Sequence, residues 1–159
     1  MSNPKGIFDR STAGFQSDVE QVEVERGRIA FFSETIEESD PVHQDKGAAQ
    51  TAGHPDVLAP PTFAIVIDTI ANQQRAKRGE VSTLERINCD MRYLLHGEEA
   101  YSYHGPIFAG DTVEVQTEVL GFEDKKGGAL ELVQLTTHIR HPKRGPLVDI
   151  TRTLLHRLG

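Results

Sequence analysis

Cysteine occurs once, at Cys89, and the chain has no long apolar run and no dense basic cluster. A single thiol excludes an internal disulfide and any cysteine-rich zinc or iron–sulfur site, and it fits the reducing cytosol. No stretch approaches the roughly 18 apolar residues of a membrane span. The opening MSNPKGIFDRSTAG lacks the apolar core of a secretion signal, so a cytoplasmic protein without membrane contact is expected. Lys and Arg number 17 against 24 Asp and Glu, a net charge of −7. The densest basic patches, Arg75-Ala76-Lys77-Arg78 and Lys143-Arg144, are short and far apart, so a nucleic-acid partner is not expected. A phosphate-bearing ligand could use one of them, but a solvated helix face is the simpler reading of Arg75, Lys77 and Arg78.

Chemical motifs that would imply a cofactor are also missing. Gly127-Gly128 reads as a hairpin turn, not a phosphate loop, and there is no Gly-x-Ser-x-Gly elbow. His43 and His54 are separated by a loop, and His138 and His141 have opposite strand parity, so neither a metal nor another cofactor is expected. Cys89 stands beside Asp90, an acid that raises a thiol pKa and argues against a nucleophile.

What remains is a chain of 159 residues, the size of one domain. Residues 1–19 are polar, carry Pro4, Gly6 and Gly14, and read as an N-terminal arm, ordered only if it packs on the domain or on a partner. Residues 20–159 read as the domain itself. Val22 and Val24 give a brief strand signal. Ile29, Phe32 and Ile36 then fall at helical spacing, and Asp40-Pro41 ends that helix, because the residue before proline avoids the helical region. Residues 46–52 suit a short helix. Phe63, Ile67, Ile70 and Ala71 repeat at helical spacing while Ala64, Ile65 and Val66 cover the flank. A helix apolar nearly all round is a buried one. Pro60 and Pro61 suit its start, where N–H groups lack intrahelical partners.

From about residue 97 the period changes to two. Tyr101 and Tyr103 alternate with Ser102 and His104, and could line either a core or a tunnel. Val113, Val115 and Val119 alternate with Glu114, Gln116 and Glu118, and a turn follows at residues 124–128. Residues 130–141 form a long strand whose apolar parity shifts between Leu132 and Val133, which means a bulge or burial on both faces. After a turn at 142–146, Val148, Ile150 and Leu154 mark a closing strand. Four or so antiparallel strands need one face covered, and the greasy helix is the available cover. The fold class is therefore α+β, an antiparallel sheet wrapped around a long buried central helix, the hot-dog arrangement. Such sheets commonly pair edge to edge, which blunts the edge strands and predicts a homodimer.

Two segments could carry chemistry. In Glu37-Glu38-Ser39-Asp40-Pro41-Val42-His43-Gln44-Asp45, four carboxylates flank one imidazole. A carboxylate can hold a His in one tautomer and let it act as a general base. An acidic helix end running into a solvent loop would give the same pattern. In Leu58-Ala59-Pro60-Pro61-Thr62-Phe63, free N–H groups at a helix start could hold a carbonyl oxygen gaining negative charge. The donors there must be Ala59, Thr62 or Phe63, because proline has no N–H. A proline-stiffened start to a core helix is the alternative.

The order of these pieces, with Ala48-Ala49, Gly53, His96-Gly97-Glu98, Pro106 and Gly110-Asp111, resembles the MaoC-like hot-dog dehydratases, in particular the branch of FAS1-like dehydratase domains. The resemblance covers roughly residues 20–157. It implies reversible hydration of a 2-enoyl thioester, or dehydration of a 3-hydroxyacyl thioester, carried on coenzyme A or an acyl carrier protein. Active members place an Asp and a His around one water through a loop pattern Asp-x-Asn-Pro-x-His. Laid on this sequence, the His falls on His43, the Pro on Pro41, the Asn on Asp40 and the catalytic Asp on Glu38. The resemblance thus implies catalytic roles for His43 with Asp40 or Glu38, and substrate binding by Ala59, Pro61, Thr62 and Phe63. Active single-domain members often have Gly where Pro61 stands, and its N–H serves the thioester carbonyl, so that donor must shift here or is absent.

Three functions follow: a homodimeric hydratase or dehydratase, a substrate-binding subunit without catalysis that pairs with a second hot-dog chain, and a thioesterase or ligand sensor. The retained His43 favours the first, since a purely structural subunit has little need of a loop imidazole.

Overall fold

Strand alternation dominates the second half of the chain, and the computed structural model, which describes residues 3–159, gathers it into one antiparallel sheet. The strands are β1 (Glu20–Glu23), β2 (Leu94–Tyr103), β3 (Thr112–Lys125), β4 (Leu130–His141) and β5 (Gly145–Arg157), in the order β1-β3-β4-β5-β2. Among the described residues β2 pairs with β5 alone, so it is an edge strand of ten residues, and Leu95 and Tyr103 on it are exposed. The β3–β4 hairpin turns through Lys126, Gly127 and Gly128, all at positive φ. Glycine adopts that region without steric cost, which accounts for the Gly-Gly pair.

The sheet's inner face is built by period two. Val113 of β3 pairs with Val22 of β1, while Val115, Thr117 and Val119 pair across to Ile139, Thr137 and Leu135 of β4, and these to Val148, Ile150 and Arg152 of β5. The parity shift at Leu132-Val133 is burial on both faces: both residues are buried and the β4–β5 register runs through them unbroken. The irregularity lies across the ladder, in β3 between Val119 and Gly121.

Four helices cover this face or its margins: α1 (Arg26–Thr35), α2 (Lys46–Thr51), α3 (Ala64–Lys77) and α4 (Thr83–Arg86). α3 is the greasy helix, entered through a short 3-10 turn at Pro61–Phe63. It is not buried all round. Ala64, Ile67, Asp68, Ala71 and Arg75 form the buried stripe, whereas Ile65, Val66 and Ile70 are half-buried and Thr69 and Gln73 exposed. One sheet can cover only one side of a helix, and the apolar flank faces outward from the single chain. The basic tail of α3 is a solvated face at Lys77 and Arg78, both exposed, but not at Arg75. Arg75 is buried, with Nη2 donating to Asp18 O at 2.6 Å, and Arg78 forks onto the Glu20 carboxylate at 2.9 and 2.6 Å.

α4 has a local cause that the apolar pattern does not reveal. Ser82 and Glu85 form a reciprocal capping box, which satisfies two N–H groups of a one-turn helix. None of the described helices is long and apolar enough to cross a membrane.

Two of the arm's residues, 1–2, lie outside the described part. The rest packs on the sheet. Phe8 is buried and its ring stacks on that of His156 at 3.9 Å, while Ile7 N–H and Phe8 N–H both donate to Glu131 Oε1 at 2.7 and 3.0 Å. Arg10 Nη2 reaches Asp124 at 2.5 Å. The core falls into two apolar clusters, one around α3, Val113, Val115 and Ile150, the other around Phe8, Ile87, Val119 and Val133. Thr117, Thr137, Asp68 and Arg152 form a polar belt between them, linked by Thr117 Oγ1 to Thr137 Oγ1 at 3.0 Å and Arg152 Nη2 to Asp68 Oδ2 at 2.9 Å.

Candidate functional site

The acidic segment after α1 folds as a sequence of backbone-capped turns. Glu37 takes a positive φ of 58°, and Glu38 N–H bonds back to Ser33 O at 2.8 Å. Glu38 Oε1 then accepts from Asp40 N–H at 2.9 Å, and Asp40 Oδ1 accepts from Val42 N–H at 3.1 Å, capping the 3-10 turn Pro41–His43. A proline turn leaves such N–H groups without helical acceptors, and nearby short acids supply them. Leu58 N–H donates to Val42 O at 3.0 Å and ties this loop to the segment leading into α3.

That tie places His43. Its side chain is buried at 8% exposure, and Nδ1 lies 2.6 Å from Leu58 O. A carbonyl only accepts, so Nδ1 carries the proton and the neutral ring keeps its lone pair on Nε2. The ring lines a groove of about 470 Å³ whose walls are Leu58, Ala59, Pro60 and Pro61 on one side and Tyr103, Pro106, Ile107 and Val148 on the other. The walls are almost wholly apolar.

Of the three donors expected at the helix start, two are used. Ala59 N–H donates to Ile107 O and Phe63 N–H to Pro60 O, each at 2.9 Å. Thr62 N–H has no backbone acceptor among the described residues, and Thr62 is exposed. Phe63 is buried and serves as core, edge-on to Phe32 at 5.6 Å.

The structure therefore brings together His43, Ala59 and Pro61 in one groove, whereas Thr62 and Phe63, next in the chain, do not line it. Glu38 and Asp40 do not line it, and both carboxylates are held by main-chain N–H groups. The imidazoles that meet carboxylates among the described residues are those of His104, His138, His141 and His156. Asp149 takes His104 Nε2 at 2.8 Å and His138 Nδ1 at 2.6 Å. Burial would raise its pKa, but the two imidazole hydrogen bonds outweigh burial and hold it below the usual carboxylate range. Cys89 is pushed up by burial and by Asp90, as its neighbour implies. No three His, Cys, Asp or Glu side chains among the described residues converge to hold a metal ion.

Sequence reasoning did not single out Leu58, Ile107 or Val148, because an apolar residue in a groove wall has the same local pattern as one in a core. Tyr101 and Tyr103 stack at 6.0 Å, and Tyr101 Oη donates to Glu99 Oε1 at 2.5 Å. Their tunnel-lining reading applies to Tyr103, which borders the groove; Tyr101 packs against the core.

Comparison with known proteins adds three findings. The family model described as "FAS1-like, dehydratase domain region" matches residues 11–149. A UPF0336 protein of Saccharopolyspora erythraea is 30% identical over 135 residues, covering 85% of this chain and 81% of the relative. Among solved structures, a MaoC-like dehydratase aligns with a TM-score of 0.75 at 22% identity, over 92% of this chain and 42% of that one. The C-terminally truncated HadBC complex of Mycobacterium tuberculosis, a 3R-hydroxyacyl-ACP dehydratase, aligns with a TM-score of 0.70 at 16% identity, over 91% and 96%.

Proposed function

This chain belongs to the FAS1-like dehydratase domain family and has the hot-dog fold, and from that premise we propose that it hydrates 2-enoyl thioesters and, in reverse, dehydrates 3-hydroxyacyl thioesters. One observation carries the reading: the buried His43 ring, fixed through Nδ1 on Leu58 O, lines an apolar groove, and its Nε2 has no hydrogen-bond partner among the described residues. A base with a set tautomer is what water activation needs. In the forward direction His43 Nε2 takes a proton from water as its oxygen bonds to the β-carbon. The alkene electron pair moves towards the thioester, whose carbonyl oxygen gains negative charge. We assign the donor for that oxygen to Thr62 N–H, which has no backbone acceptor among the described residues. The proton taken from water then passes from His43 Nε2, by way of a loop carboxylate, to the α-carbon and the thioester carbonyl re-forms, so one water adds across the double bond.

The carboxylate of this scheme is Asp40 or Glu38. Neither lines the groove, so either one must release its backbone N–H and turn towards the reacting water. The substrate is carried on coenzyme A or an acyl carrier protein, and the working setting is the cytosol. The free edge of β2 and the uncovered flank of α3 support pairing with a second hot-dog chain, as a homodimer or as a heteromer.

One observation favours a second reading, a substrate-binding subunit that leaves the chemistry to its partner: neither loop carboxylate lines the groove. Turnover separates the two. The purified chain is given crotonyl-CoA while absorbance of the conjugated thioester is followed. Loss of signal supports the enzyme. Loss only after a second hot-dog chain is added supports the subunit. Release of free thiol from a saturated acyl-CoA identifies a thioesterase and rejects both.

A further inference from the structure

A second cavity of about 380 Å³ lies between α3 and the sheet, and its lining is divided. Ile65, Leu84, Leu94 and Leu154 give it apolar walls, while Asp68, Arg152 and Glu99 form a charged end. Arg152 Nη2 bonds Asp68 Oδ2 at 2.9 Å, and Glu99 Oε2 lies 3.2 Å from Arg152 Nε. That Nε is nevertheless buried without an aligned hydrogen-bond acceptor. Asp68 itself is 4% exposed.

Three elements connect this cavity with the His43 groove. At the entrance to α3, Pro61 of the 3-10 turn borders the groove, and Ile65 and Asp68 of the helix line the cavity. On β5, Val148 borders the groove, and Ile150 and Arg152 follow on the same face. On β2, Tyr103 borders the groove, followed on the same face by Tyr101 and Glu99, whose side chains are hydrogen-bonded to each other. Four strand residues, from Val148 to Arg152 or from Tyr103 to Glu99, span about 13 Å.

We infer that groove and cavity are two ends of one trench, and that the Asp68–Arg152–Glu99 cluster selects an acyl chain bearing an uncharged oxygen substituent, a hydroxyl, at that depth. The inference rests on the thioester reading of the groove and adds the identity of the acyl group. A plain alkyl chain laid on the cluster would strip water from the partly exposed Arg152 and Glu99 side chains without replacing its hydrogen bonds, and buried polar groups without partners are costly. A carboxylate would meet two carboxylates against one guanidinium. A hydroxyl accepts from Arg152 and donates to Glu99 or Asp68, so it satisfies the cluster with both of its functions.

The test is calorimetric titration of the full chain with crotonyl-CoA, decanoyl-CoA and decanoyl-CoA hydroxylated at or near its terminus. Binding of the hydroxylated chain at least tenfold tighter than the alkyl chain is expected. Arg152→Met combined with Asp68→Leu should reverse that order, and Glu99→Gln, a milder change, should narrow it to under threefold. Equal affinities for the two decanoyl chains, with crotonyl-CoA still bound, would overturn the inference and leave the groove reading standing. Absence of binding for all three would overturn both. If the double variant fails to fold, Glu99→Gln and the unaltered chain decide the matter.

Discussion

His43 and Leu58, fifteen positions apart, are joined by a 2.6 Å hydrogen bond from an imidazole N–H to a main-chain carbonyl. The acceptor is backbone, so no side-chain substitution at Leu58 deletes it. Ring orientation depends instead on the path of the segment entering α3, which Leu58 N–H to Val42 O and Ala59 N–H to Ile107 O hold in place. The loop and the helix start are thus one unit.

Replacing the base should separate chemistry from folding. His43→Gln is expected to lower crotonyl-CoA hydration by about 10²–10⁴-fold, the usual range for a positioned general base, with the circular dichroism spectrum unchanged. A variant as fast as the parent would remove His43 from the mechanism.

The donor at the helix start has its own signature. Thr62→Pro deletes the N–H at a first-turn position where proline is tolerated, and should cost about 10²–10³-fold in kcat, as for an oxyanion donor. Thr62→Ala keeps the N–H and should stay within a few-fold of the parent. Equal losses in both variants would assign the effect to the hydroxyl or to packing.

The Asp149 bridge predicts how stability depends on acid. Its folded pKa is lowered because His138 and His104 donate to it. A lowered carboxylate stabilises the fold above its unfolded value, roughly 3.9, and that contribution is lost as pH falls through the folded value. Asp149→Asn should therefore lower Tm at pH 7 and flatten the decline of Tm below about pH 4. A variant whose Tm follows the parent curve in parallel through that range would refute the linkage.

Much of the fold was legible because its periods are clean. Alternation at Val113, Val115 and Val119 yields β3, and the 3.6 period through Ile67 and Ala71 yields α3. The one-sided burial of α3 was not legible, since apolarity records what a helix can bury and not how much cover a single chain provides. Polarity made residues 1–19 read as an arm, yet two neighbouring apolar residues, Ile7 and Phe8, suffice to seat it once Glu131 takes their N–H groups. In the site, the helix start and His43 were legible from Pro60-Pro61 and from the loop pattern. The engagement of Glu38 and Asp40 was not, because spacing does not tell whether an acid faces a ring or caps its own turn. The Asp68–Arg152 pair joins residues 84 apart, and no local pattern announces it.

The seat of the amino-terminal segment has a practical corollary. Glu131 and His156 are fully enclosed beneath Phe8, and a methyl group at Gly6 would come within 2.9 Å of Glu131 Oε2. A shortened recombinant version that begins after residue 10 would uncover an acid and an imidazole that the intact protein keeps dry, and would delete two donors to that acid. Trimming to the boundaries of the matched family region, 11–149, would delete that lid together with the larger part of β5, His156 included.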